Sequence, residues 1–147
     1  MNKEVSFPIA KLLKEKGYEE PTKKHYEYAL KSQKNQEDGY SGPFGWEKGE
    51  LILQSHYFIN NHKQADLSSE MWYMCSAPTI AEVIMWLYEK HEYWCYAYTN
   101  GKIWHPCIQH KFGDMAVLSG KIGEFNSPTK AYEAAFEYTL NNLTQNK

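Results

Sequence analysis

Thr79-Ile80-Ala81-Glu82-Val83-Ile84-Met85-Trp86-Leu87-Tyr88-Glu89-Lys90-His91 carries the clearest structural signal in the chain. Ile80, Val83, Ile84 and Leu87 recur at i, i+3, i+4 and i+7, the spacing that lines one side of a helix. Ala77-Pro78 leads in, and Thr79-x-x-Glu82 has the form of a capping box, in which each side chain satisfies a backbone N–H left open by the first turn. Met85, Trp86 and Tyr88 widen the apolar arc, so a helix over 79–91 is expected to be largely buried. Immediately downstream, Tyr93 to Thr99 and Lys102 to Gln109 are aromatic, β-prone runs on either side of Asn100-Gly101. Asn-Gly favours a two-residue hairpin turn, because both central residues need positive φ.

Working outward, the ends of the chain are helical. Ser6 to Lys16 has a capping serine, Pro8 in its first turn and Gly17 as a left-handed stop. Phe7, Ala10 and Leu13, with Ile9 and Leu12 beside them, form its apolar side. A third helix over 128–143 starts at Ser127-Pro128 and carries Tyr132, Phe136, Leu140 and Leu143 as its stripe. Between the first two helices, His25 to Leu30, Leu51 to Asn60 and Met71 to Cys75 read as strands. Met115 to Ile122 reads as another. Gln33 to Gly49 collects Gly39, Gly42, Pro43, Gly45 and Gly49, which is loop chemistry. The expected fold is α+β: a small antiparallel sheet that includes a 93–109 hairpin, packed by about three helices (6–16, 79–91 and 128–143). One domain over 1–147 is expected, with the Gly-rich loop at about 33–49.

The 147 residues carry a formal net charge of -2. Duplex nucleic-acid binders normally carry a clustered positive surplus, so that class is disfavoured. Cys75, Cys95 and Cys107 are odd in number and widely spaced, unlike a disulfide framework. No apolar run of signal-peptide or membrane-spanning length is present. A cytoplasmic protein with reduced thiols is expected.

Three constellations bear on chemistry. His105 and Cys107 share one strand face, with His110 on the other, but zinc needs about four ligands. His91, Cys75 or Cys95 would have to complete the set, so no metal site is expected. Cys95 or Cys107 with a histidine could form a nucleophilic pair, although no orienting third group or oxyanion donor is evident. Glu82 and Glu89 lie two helical turns apart, too far for a retaining carboxylate pair. No phosphate-binding or zinc-protease motif occurs, and neither a cofactor nor a catalytic residue is assigned.

What remains is aromatic excess: five Trp, twelve Tyr and six Phe. Tyr40, Phe44 and Trp46 sit in the Gly-rich loop, and Trp94, Tyr96, Tyr98 and Trp104 on the hairpin. Large aromatics fold back onto a core or meet a partner. The expected function is a small intracellular binding protein holding a protein partner or a small ligand such as a nucleotide, with no membrane partner. The alternative is a Cys/His-dependent hydrolase or transferase. Self-association through an exposed sheet face is a further option.

Three blocks also look familiar: Ser6-Phe7-Pro8-Ile9-Ala10-Lys11-Leu12-Leu13-Lys14-Glu15-Lys16-Gly17; Ala77-Pro78-Thr79-Ile80-Ala81-Glu82-Val83 through Trp86-Leu87; and Phe125-Asn126-Ser127-Pro128-Thr129 through Ala131-Tyr132-Glu133-Ala134-Ala135. Together they resemble a group of small uncharacterised proteins encoded in gut-bacterial genomes and their prophages. The segment from Pro21 to Ser69 is not covered. The resemblance implies a bacterial cytoplasm and a phage or mobile-element origin. It carries over no catalytic residue.

Overall fold

The structure, a computed structural model, describes residues 3–29, 51–60 and 72–143. In chain order these form α1 (Phe7–Glu15), β1 (His25–Ala29), β2 (Leu51–Gln54), β3 (Trp72–Ser76), α2 (Ile80–His91), β4 (Tyr93–Thr99), β5 (Trp104–His110), β6 (Met115–Val117), α3 (Ser119–Ile122) and α4 (Pro128–Leu143). The architecture is α+β, with the strands divided between two three-stranded antiparallel sheets, β2-β1-β3 and β4-β5-β6. The chain forms two compact units: Met1–Lys16 with Pro78–Lys147, and Gly17–Ala77. The Gly-rich stretch 33–49, with Tyr40, Phe44 and Trp46, lies outside the described residues. Among the described residues, no helix is long and apolar enough to cross a membrane.

The first unit is built on the β4-β5-β6 sheet. α4 packs against β4 and β5, and α1 packs on α4. Thr79 and Glu82 form the capping box, each side chain accepting from the other's backbone N–H. Ile80, Val83, Ile84, Trp86 and Leu87 are buried, whereas Met85 and Tyr88 stay exposed, so the buried arc of α2 is narrower than expected. On α4 the buried side is Ala131, Ala135, Phe136, Thr139 and Leu140. Phe136 and Leu140 of the expected stripe are therefore core, whereas Tyr132 and Leu143 are only part-buried and Ala131, Ala135 and Thr139 complete the buried side.

Three local details depart from expectation. Ser6 holds the N-cap position of α1 but makes no side-chain cap bond. Its N–H and hydroxyl instead donate to the two carboxylate oxygens of Glu133, at 2.6 and 2.7 Å. The hairpin turn is also longer than two residues. Thr99 pairs with Trp104, and Gly101, not Asn100, has positive φ. Asn100 Oδ1 accepts from the N–H groups of Lys102 and Ile103, and this local bond supports a four-residue turn without a left-handed Asn. Finally, the stretch 115–122 splits into β6 and the single turn α3. Leu118 N–H donates to Pro106 O while Leu118 O accepts from Lys121 and Ile122, so the chain bends into a helical turn there.

The second unit carries the β2-β1-β3 sheet. Leu51 to Asn60 is not one strand: β2 stops at Gln54, and Phe58 then bridges to Thr22. Asn60, 3% exposed, ties this unit together. Its Nδ2 donates to Tyr18 O and Ser76 Oγ at 2.7 and 2.8 Å, and its Oδ1 accepts from Ser76 N–H at 2.8 Å. Every polar atom of the buried amide thus has a partner, the condition under which such a group is tolerated.

Candidate functional site

Cys95 sets the faces of β4. It is fully buried, and its Sγ lies 3.3 Å from Thr139 Oγ1 on α4. Side chains alternate across a strand, so Tyr93, Cys95 and Ala97 turn toward the helices. Trp94, Tyr96 and Tyr98 turn the other way. The register extends this outer face: Trp94 pairs with Gln109 and then Met115, Tyr96 with Cys107 and then Val117, and Tyr98 with His105. With strands about 4.8 Å apart and same-face residues about 6.8 Å apart, the grid measures roughly 10 by 14 Å between Cα atoms. Trp104 pairs with Thr99 and belongs to the opposite face, where its backbone bridges Phe125.

The outer face is open. Trp94, Tyr98, Met115 and Val117 are 39, 44, 50 and 42% exposed. Tyr98 stacks beside His105, ring centroids 4.9 Å apart and planes 27° from parallel. At the other end Tyr88 meets Trp94 edge-on at 5.2 Å, and the Lys111 ammonium lies 5.9 Å from the Tyr88 centroid. The Tyr96 hydroxyl donates to the Met115 sulfur. Burial, and then Cys107 and Tyr98 beside it, raise the Tyr96 phenol above its ordinary pKa, so it remains a donor at neutral pH. The sequence brings Trp94, Tyr96 and Tyr98 together by alternation alone. Met115, Val117 and His105 were not read as their neighbours, because that requires the register.

The thiols offer little to covalent chemistry. Cys75, Cys95 and Cys107 are all free and buried. Burial pushes Cys95 up to about 12, only partly offset by the Thr139 hydrogen bond, and burial also raises Cys107. A nucleophilic cysteine needs an accessible thiolate, and neither group supplies one at neutral pH. His105 Nδ1 lies 2.9 Å from Ser119 Oγ. Among the described residues, no group of three or more His, Cys, Asp or Glu side chains is placed to hold a metal ion.

Two other clusters went unread in the sequence. In the second unit, buried His25 has Nε2 2.7 Å from Glu27 Oε2 and Nδ1 3.3 Å from His56 O, with its ring stacked on Phe58 at 4.6 Å. The period-2 pair His25-x-Glu27 was its only signal. Both ring nitrogens are engaged within the fold. In the first unit, a groove of about 600 Å³ runs between α1 and α4 over Ile9, Leu12, Phe125 and Tyr138. Of the two carboxylates that line it, Glu133 and Glu137, the first is committed to Ser6. Among the described residues of the first unit, the outer sheet face gathers four large apolar side chains that are each at least 39% exposed, Trp94, Tyr98, Met115 and Val117. No protein-family model, curated protein or solved structure matches the chain.

Proposed function

We propose that this chain is a non-catalytic binding protein of the bacterial cytoplasm, encoded by a phage or other mobile element. It holds its ligand or partner on the outer face of the β4-β5-β6 sheet. One observation carries the reading: Trp94, Tyr96 and Tyr98 form a row beside Met115 and Val117, on the side of the sheet turned away from α4. The largest exposed apolar patch of a domain is often a contact site. Each ~100 Å² of apolar surface covered there is worth about 2.5 kcal/mol before the costs of association. The three buried thiols suit a reducing compartment, and the mobile-element origin rests on the resemblance of both ends and α2 to prophage-encoded proteins.

A thermal-shift screen of the purified chain against nucleotides, oligonucleotides, peptides and host fractions tests the reading. A ligand at about a hundred times its Kd stabilises by about 2.7 kcal/mol, which corresponds to a rise of roughly 5–10 °C at this size. The rise should vanish in a Trp94→Ala/Tyr98→Ala double variant whose circular dichroism is unchanged. A stabilising ligand equally effective on both proteins would move the site elsewhere, and no stabilisation by any probe would count against binding altogether.

A further inference from the structure

We infer that the groove between α1 and α4 is a second binding site, for a short apolar peptide with free termini, whose ammonium lies by Glu137 and whose carboxylate lies by Lys130. One face of α4 supplies a wall. Lys130, Glu133, Ala134, Glu137, Tyr138 and Asn141 line the groove and recur at three- and four-residue steps, so they share a side of the helix. Ala131, Ala135 and Thr139 take the buried side, so the groove side is not the one that α4 packs on the sheet. Ala134, the smallest side chain of the row, stands in its middle. From α1 come buried Ile9 and half-buried Leu12, and Ile122 and Phe125 close an apolar floor. The space of about 600 Å³ lies within the ~300–1,000 Å³ of small-ligand sites.

The charges name the occupant. Three charged side chains line the groove: Lys130, Glu133 and Glu137. Both oxygens of Glu133 accept from Ser6. Lys130 and Glu137 are exposed, and among the described residues neither side chain has a hydrogen-bond or ion-pair partner. The Lys121 ammonium, 5.9 Å from the Tyr138 centroid, is a fourth charge at the edge. Two lysines and two glutamates sum to zero, so neither a polyanion nor a polycation is favoured. One open cation and one open anion remain on the same helix face, beside an apolar floor. A zwitterion with an apolar body matches that pattern. Seven helical steps set the two Cα atoms about 10.5 Å apart. That is too far for a single amino acid, and within reach of two or three extended residues together with the lysine and glutamate stems. Asn142 adds a carboxamide whose Nδ2 donates to Tyr138 O, which leaves its Oδ1 to accept a peptide N–H.

The test is an NMR titration of the full isotope-labelled chain with trileucine at about 20 mM salt, where ion pairs are little screened. The expected result is saturable shifts of the Ile9, Leu12, Ala134 and Glu137 amides with a Kd of about 1 mM or below. N-acetylation or C-amidation of the peptide should each weaken binding about three- to tenfold. The acetylation penalty should fall below about twofold in Glu137→Gln, and the amidation penalty likewise in Lys130→Gln, because each variant removes the partner of the blocked end. Both substitutions are at exposed positions and should leave the fold intact. Leucine alone, too short to meet both charges, should bind at least about threefold less well. Trp94→Ala/Tyr98→Ala should bind trileucine as the parent does, so this site and the sheet-face site stand or fall separately. Blocked and free peptides that bind alike, or penalties that persist in both variants, overturn the inference. So does the absence of saturable shifts, or shifts confined to the β4-β5-β6 face.

Discussion

Cys95 shows how a single buried side chain fixes the orientation of β4. Thr139 donates to Ala135 O at 2.8 Å, and burial keeps the Cys95 thiol protonated beside Thr139 Oγ1, 3.3 Å away. The protonated thiol is thus part of the packing. Its folded pKa is raised to about 12 from an ordinary 9.0. Between these values the unfolded chain gives up a proton that the folded chain keeps, so stability falls as pH rises. The contribution is intact below pH 9 and declines toward pH 12 by an amount on the order of 4 kcal/mol. Cys95→Ala should lose about 1–2 kcal/mol at pH 7 through the small cavity it leaves. It should also flatten the alkaline limb. Urea melts of both proteins from pH 8 to 11 check this, and parallel alkaline slopes would contradict it. Asn60 is the matching case in the second unit. Asn60→Ala strands Ser76 N–H and Tyr18 O at a site 3% exposed, and should cost about 2–4 kcal/mol in urea unfolding. A loss below ~1 kcal/mol would mean that water replaces the amide.

At the scale of elements, the two best-defined helix starts are held differently. α2 caps itself through Thr79 and Glu82, so Thr79→Ala should cost about 0.5–2 kcal/mol, read from the urea midpoint. α1 is capped from outside, because Glu133 on α4 takes both donors of Ser6. Glu133→Gln keeps one acceptor but turns an N–H₂ toward the other donor. It should cost about 1–2 kcal/mol and raise amide hydrogen exchange selectively along α1. Unchanged exchange in α1 would show that packing alone seats the helix. The helices were legible because 3.6-residue periodicity and Ser, Thr and Pro starts are local signals. The stripe of α4 was legible in part: Phe136 and Leu140 are buried as expected, but Ala131, Ala135 and Thr139 are small residues that periodicity in large side chains overlooks. The outer face was legible only in part. Alternation puts Trp94, Tyr96 and Tyr98 on one side of β4 whatever the turn. A two-residue turn at Asn100-Gly101 would place His105 opposite Tyr96, whereas the four-residue turn slides β5 by two positions and sets it opposite Tyr98. A slip of two keeps every side chain on its face but changes every neighbour, so ligand contacts could not be read until the turn was known.

At the scale of the whole chain, the first unit is assembled from two segments separated in sequence. Val5 N–H donates to Pro78 O and Ile80 N–H to Lys3 O, both at 2.9 Å, and Glu4 bridges Thr79. These contacts join the two segments of the first unit on either side of residues 17–77. The first unit also has its own core, with Val5, Leu13, Val83, Leu87, Cys95, Phe136 and Leu140 all fully buried. Roughly ninety residues with such a core are enough for a domain to fold alone. Removal of residues 17–77 should therefore leave a folded protein, provided the new connection is long enough. α1 carries the chain about 14 Å away from the bridge before it must return to Pro78, so at least about five extended residues are needed. A Gly/Ser linker of about eight residues between Lys16 and Pro78 allows slack. The shortened chain should show helical circular dichroism, dispersed amide resonances and one cooperative melt. A collapsed chain without a cooperative transition would mean that the base contacts do not suffice and that residues 17–77 are required for the β4-β5-β6 sheet to form.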